Sequence, residues 1–151
     1  MILFCDTSAL VKLYLHEAES DAMLAEAATA ATIAVCRIAW AEAMAALARR
    51  GREVPADGPA LDAARQRMQS HWRSYLIVEV TQPLVELAGD YADTFALRGY
   101  DSVQLAAART VQQSANEGLR FACFDARLRK AAKVLDMAPA AEGSPPPAPQ
   151  P

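Results

Sequence analysis

Four carboxylates stand out by what surrounds them. Asp6 closes the apolar run Ile2-Leu3-Phe4-Cys5 and is followed by two hydroxyl residues, Thr7 and Ser8. Asp125 closes a second such run, Phe121-Ala122-Cys123-Phe124, while Asp101 opens an Ala-rich segment and Glu42 lies within another. A run that is apolar at every position reads as a strand buried on both faces, as in the middle of a parallel sheet. Ligand crevices in such sheets lie beyond the carboxyl ends of the strands. Asp6 and Asp125 are therefore expected in one crevice, with Glu42 and Asp101 reaching it from flanking helices. Ionised carboxylates packed together repel, so the site must raise their pKa values or bind a cation. Oxygen-only ligands select a hard ion, Mg²⁺ or Mn²⁺, whose remaining ligands are water and substrate phosphate oxygens.

Each acid also has a plainer reading. Asp101 with Gln104 three residues on forms a capping-box pattern, and Asp125 before Ala126 is a helix N-cap pattern. Asp6 could simply help the chain turn, with Thr7 and Ser8 capping a helix that begins near Ala9. Glu42 could be a solvated residue of its helix. His16 and His71 offer a metal-free acid and base, but neither sits in a recognisable motif, and both read as surface residues.

The elements that must position these residues follow from hydrophobic period and turn chemistry. Helices are predicted over Ala9–Leu15, Glu17–Thr29, Ile38–Arg50 (stopped by Gly51), Ala60–Trp72, from Pro83 to near Gly99, over Ser102–Ser114 and over Ala126–Lys133. Between them fall short strands at Ile33–Cys36, Tyr75–Val80 and Phe121–Phe124, besides the opening run, and a Pro- and Gly-containing loop at 52–59. Alternation of this kind predicts a central parallel β-sheet in an α/β sandwich, and the chain is too short for a barrel.

The 151 residues suit one domain, just over half of them are apolar, and the formal net charge is −3. That excludes a polycation built to coat nucleic acid, so a nucleic-acid partner requires a local basic patch. The opening apolar run is too short for a signal sequence and no stretch is long enough to span a membrane, which points to a cytoplasmic protein. Cys5, Cys36 and Cys123 have neither metal-ligand nor redox spacing and read as buried small hydrophobes. The last residues, with Pro145, Pro146, Pro147, Pro149 and Pro151, form a tail that lacks the apolar surface for a core and is expected to be disordered and extended.

Taken in order, the motifs resemble the PIN-domain ribonucleases, and within them the VapC-type toxins of bacterial type II toxin–antitoxin systems. Phe4-Cys5-Asp6-Thr7-Ser8-Ala9-Leu10 is similar to the family's opening motif, and Glu42 in Ile38-Ala39-Trp40-Ala41-Glu42-Ala43 to its helical glutamate. Tyr100-Asp101-Ser102-Val103-Gln104-Leu105 resembles the segment of the third acid, and Phe124-Asp125-Ala126-Arg127-Leu128 that of the fourth. Two positions depart from the pattern: Gln104 stands where His is common, and Cys123 where Thr or Ser is common.

The resemblance implies a three-layer α/β/α PIN-like nuclease domain over residues 1–137, with the proline-rich tail at 138–151. It also implies Mg²⁺- or Mn²⁺-dependent hydrolysis of RNA, with Asp6 and Asp101 as principal metal anchors, Glu42 and Asp125 completing the acidic cluster, and Ser8 orienting Asp6. A metal so held would activate water and stabilise the leaving oxygen of an in-line displacement, with one ion or two. Phosphates also need positive charge, and Lys12, Arg98, Arg127, Arg129, Lys130 and Lys133 are the candidate RNA contacts, the last four equally readable as the solvated face of a basic helix. A small antitoxin is the implied protein partner. Leu10, Val11, Tyr14, Leu15, Met23, Trp40, Met44 and Leu47 offer apolar surface for it or for a homodimer. The competing functions are a catalytically silent PIN-like binding module and an Asp-nucleophile phosphotransfer protein. The latter is weakened because no second Asp follows Asp6 at two residues' distance.

Overall fold

The computed structural model describes residues 1–139. Five parallel strands, β1 (Ile2–Cys5), β2 (Thr32–Cys36), β3 (Leu76–Val78), β4 (Leu119–Ala122) and β5 (Ala138–Pro139), form one sheet in the order β3-β2-β1-β4-β5. Seven α-helices connect them: α1 (Thr7–Lys12), α2 (Ser20–Thr29), α3 (Ala39–Glu53), α4 (Gly58–Trp72), α5 (Gln82–Phe95), α6 (Gly99–Ser114) and α7 (Ala126–Val134), with a 3₁₀ turn at Pro55–Asp57.

Because side chains alternate across a strand, β1 serves two cores at once. Ile2 and Phe4 pack with Leu84, Leu105 and Leu128 of α5, α6 and α7, and the Phe4 ring stacks on Phe121. Leu3 and Cys5 face the other way, against Leu10, Met23, Leu47 and Leu61 of α1 to α4. The result is the expected three-layer α/β/α architecture. Every residue of β1 is buried, as its unbroken apolar run requires. All three cysteines are buried thiols. Among the described residues no helix is long and apolar enough to cross a membrane.

Several element boundaries differ from the sequence expectation for identifiable reasons. Helix α1 starts at Thr7, with Asp6 itself as the N-cap accepting from the Ala9 N–H, so Thr7 and Ser8 lie inside the helix instead of capping it. It stops at Lys12, and α2 begins only at Ser20, whose hydroxyl ties the intervening loop by donating to the Leu15 carbonyl at 3.0 Å. Helix α3 runs through Gly51 to Glu53, because the missing side chain there admits α4. A Cβ on Gly51 would stand 3.3 Å from the Leu61 side chain. Helix α5 ends at Phe95 on the left-handed residue Ala96 (φ 53°), and Gly99 is instead the first residue of α6. Strand β4 lies two residues earlier than expected, because pairing with β1 aligns Cys5 with Ala122 and the chain leaves the ladder there. The backbone of Ala138–Pro139 adds an edge strand beside β4, where a proline's missing N–H is tolerated. Residues placed in the tail by sequence thus begin within the sheet, and the proline-rich remainder lies outside the described residues.

Candidate active site

In a parallel sheet the helices run back against the strands, so their N-termini gather at the carboxyl edge. All four acids sit at such N-termini. Asp6 caps α1 and Asp125 caps α7, accepting from the Leu128 N–H at 2.9 Å, while Glu42 and Asp101 lie in the first turns of α3 and α6. The positive ends of the helix dipoles offset part of the repulsion among the carboxylates. Strands β2 and β4 lie on opposite sides of β1, which makes its carboxyl end the switch point where crevices open. There the four acids line a single cavity of about 540 Å³ together with Thr7, Ser8, Lys12, Glu17, Arg49, Arg98, Gln104 and Phe124.

Asp6 is the buried member, 5% exposed. Its Oδ1 accepts from Ser8 Oγ at 2.7 Å and from the Ala9 N–H at 2.9 Å. Burial raises its pKa to about 6; those two hydrogen bonds pull it back, and the charges of Asp101 and Glu42 push it up again. Ser8 thus donates directly to the carboxylate that the resemblance expects it to orient.

Glu42 is fixed by residues that the sequence did not mark as part of the site. Its Oε1 accepts from Thr7 Oγ1 at 2.9 Å and from Gln104 Nε2 at 3.0 Å, and Gln104 Nε2 also donates to Thr7 at 3.1 Å. This triangle ties α1, α3 and α6 together. It also replaces the capping-box reading of Asp101 and Gln104, since Gln104 is 2% exposed and turned toward the other two helices. Gln104 Oε1 is buried without a partner among the described residues. At the second departure from the family pattern, Cys123, the thiol reaches the Asp125 carbonyl at 3.8 Å, and burial first, then the Asp6 charge, raises its pKa to about 12. The residue just past β4 is therefore a buried neutral thiol packed in the core.

The cations divide into two sets. Arg98 spans the cluster, with Nε 3.3 Å from Asp101 Oδ2 and a terminal nitrogen 3.9 Å from Asp125 Oδ2. Arg98, Arg127 and Lys130 line a second cavity, of about 720 Å³, which shares Asp101 and Asp125 with the first. Arg127 also donates to the Ala96 carbonyl at 2.9 Å. Lys12, which lines the acidic cavity, and Arg129 are both engaged within the protein. Lys12 pairs with Glu17 at 3.0 Å and lies over the Phe124 ring, and Arg129 turns back to donate to the Cys123 carbonyl. Lys133 is exposed on α7 and lines neither cavity. His71 shares a hydrogen bond with Tyr14 on the far side of α1, and neither histidine lines the acidic cavity.

The donor set suits a hard divalent ion. It is oxygen-only, and among the described residues Asp6 Oδ2, Glu42 Oε2 and Asp101 Oδ1 accept no protein hydrogen bond while their partner oxygens do. The unpartnered Gln104 Oε1 in the same wall is a further acceptor of the kind such an ion or its waters satisfy. Among the described residues no group of three or more His, Cys, Asp or Glu side chains is arranged to hold a metal ion as it stands, and Arg98 lies across Asp101 and Asp125.

The apolar residues expected to be in surplus are partly absorbed. Leu10, Tyr14, Met23 and Leu47 are core, whereas Val11, Leu15, Trp40 and Met44 are half-buried at its margin.

Comparison with known proteins bears on the family and the fold. The PIN domain family model matches residues 3–134. Ribonuclease VapC46 of Mycobacterium tuberculosis is 32% identical over 136 residues, covering 90% of this chain and 94% of that protein. Ribonuclease VapC45 of the same species is 33% identical over 131 residues, covering 87% and 89%. Among solved structures, FitAcB from Neisseria gonorrhoeae superposes with a TM-score of 0.62 at 19% identity, over 93% of this chain and 97% of that one. VapC20 of M. tuberculosis, described as a sarcin–ricin loop cleaving toxin, gives 0.60 at 18% identity, over 85% and 94%. At such identities the structures speak for the fold, and the family match and the relatives above 30% identity decide membership: the chain belongs to the PIN-domain family and groups with its VapC ribonucleases.

Proposed function

We propose that the protein is a Mg²⁺- or Mn²⁺-dependent endoribonuclease and the toxin of a toxin–antitoxin pair, acting in the cytoplasm. The observation that carries this reading is the convergence of Asp6, Glu42, Asp101 and Asp125, from four separate helix starts, on one cavity bordered by cations. A divalent ion bound there supplies Lewis-acid polarisation of a phosphate and lowers the pKa of water. Asp6, Asp101, Glu42 and Asp125 are the residues that would hold it. The chain's own part is positional. Ser8 and the Ala9 N–H fix Asp6, the Thr7–Gln104 pair fixes Glu42, and Arg98, Arg127 and Lys130 supply the positive charge that a polyanion needs beside an acidic site.

The partner in this proposal is a small antitoxin that seats on the half-buried margin of the early helices and brings a basic side chain to the acids. Homodimerisation through a neighbouring face is the second use of that margin.

The test is RNA cleavage by the purified protein in Mg²⁺ or Mn²⁺ against EDTA. Cleavage is expected only with metal, and Asp6→Asn and Asp101→Asn are expected to abolish it while leaving circular dichroism unchanged. Cleavage that persists in EDTA, or in either variant, in a preparation free of contaminating nuclease would defeat the reading. A folded wild type that cleaves nothing under any metal would favour a silent binding module.

A further inference from the structure

Among the described residues every other aromatic side chain meets a second ring or a cation, as Phe4 meets Phe121 and Phe124 meets Lys12. Tyr100 meets neither and is 62% exposed. It is the second residue of α6, between Arg98 and Asp101 in the chain. Tyr100 lines the cavity of about 740 Å³ that also contains Glu42, Arg98 and Asp101, and it lines the adjoining apolar cavity with Trp40 and Trp72. The acids are thus bordered by one cavity carrying Arg127 and Lys130 and by another carrying an unpartnered aromatic ring.

We propose that Tyr100 is a stacking platform for one base of single-stranded RNA, placed next to the scissile phosphate, while Arg127 and Lys130 hold phosphates on the basic side. This rests on the ribonuclease reading above and adds to it the form of the substrate and the residue that selects its register. The two sides do different work. Cations grip a backbone whose charge is the same in every sequence, so they set affinity and salt dependence. An exposed ring grips a base face, which is available only where the strand is unpaired, so it selects unpaired strand and holds one base of it beside the cut.

The test replaces bases one at a time by abasic ribosides along a short single-stranded RNA that the wild type cuts in Mn²⁺, and measures kcat and KM for wild type, Tyr100→Ala, Tyr100→Trp and Lys130→Ala. Tyr100→Ala is expected to raise KM on the order of ten-fold, more than it lowers kcat, and Tyr100→Trp to restore it. One abasic position should weaken the wild type by a similar factor and leave Tyr100→Ala unaffected, the signature of a lost pairwise contact. Lys130→Ala should weaken all positions alike and reduce the slope of log KM against log salt, which Tyr100→Ala should not. Cleavage with no position coupled to Tyr100 overturns the stacking assignment and leaves the ribonuclease reading intact. A Tyr100→Ala protein with wild-type kinetics that loses only its hold on the antitoxin overturns it in favour of a protein contact. A wild type that cuts no RNA overturns both.

Discussion

Asp6 illustrates how a candidate site residue costs its host stability. With its pKa raised from 3.8 to about 6 by burial, the folded protein takes up a proton on Asp6 before the unfolded chain does. The penalty of the charged form is therefore present above about pH 6 and gone below the unfolded value. Asn is as good an N-cap as Asp and keeps the acceptor for Ser8 and Ala9. Asp6→Asn in EDTA is accordingly expected to be more stable than the wild type at pH 8, by at most about 3 kcal/mol, with the difference vanishing near pH 4. Urea denaturation at both pH values checks this, and equal stability at pH 8 would show that the carboxylate is better solvated than its burial implies. Asp6 and Asp125 were legible because each closes an apolar run where a buried strand ends, whereas Asp101 and Glu42, each with a plainer reading as a capping or solvated helix residue, stood out only through the order of the four motifs. Thr7 and Gln104 were not legible. Their significance is the triangle with Glu42, which joins positions from three helices far apart in sequence and leaves no local periodicity.

At the scale of elements, the buried parallel strands are legible in their apolar runs, but strand order is set by pairing that no local run encodes, and helix ends depended on residues that broke the usual rules. Gly51 looked like a stop and is a point of close approach to Leu61; Gly99 looked like a C-terminal signal and opens α6. The left-handed cap of α5 falls instead on Ala96, where a Cβ is disfavoured and no sequence cue marks the break. Ala96→Gly is expected to stabilise the protein by about 0.5–1 kcal/mol, the relief of that conformation less the extra freedom of the unfolded chain. Thermal denaturation measures it, and an unchanged or lowered Tm would mean that the Arg127 contact to the Ala96 carbonyl already compensates the strain.

For the whole molecule, a net charge of −3 hides an uneven surface in which Arg98, Arg127 and Lys130 stand beside the acids. Arg98 across Asp101 and Asp125 shows that a guanidinium fits where a divalent ion is proposed. A basic side chain from the proposed antitoxin would compete for the same oxygens, so the affinity of such a partner is expected to fall as Mg²⁺ is raised at constant ionic strength. Titration of the complex by fluorescence anisotropy checks this, and an affinity indifferent to Mg²⁺ would place the contact elsewhere. The strand order has a consequence for how such an enzyme comes into being. β1 lies at the centre of the sheet, and its neighbour β4 and the acid Asp125 are synthesised more than a hundred residues later. Until that segment leaves the ribosome the central strand has one flank open and the cluster lacks its fourth carboxylate. A chain cut short before Leu119 therefore lacks both the second flank of its central strand and the fourth wall residue of the acidic cavity, so it is expected neither to complete the sheet nor to assemble the cluster.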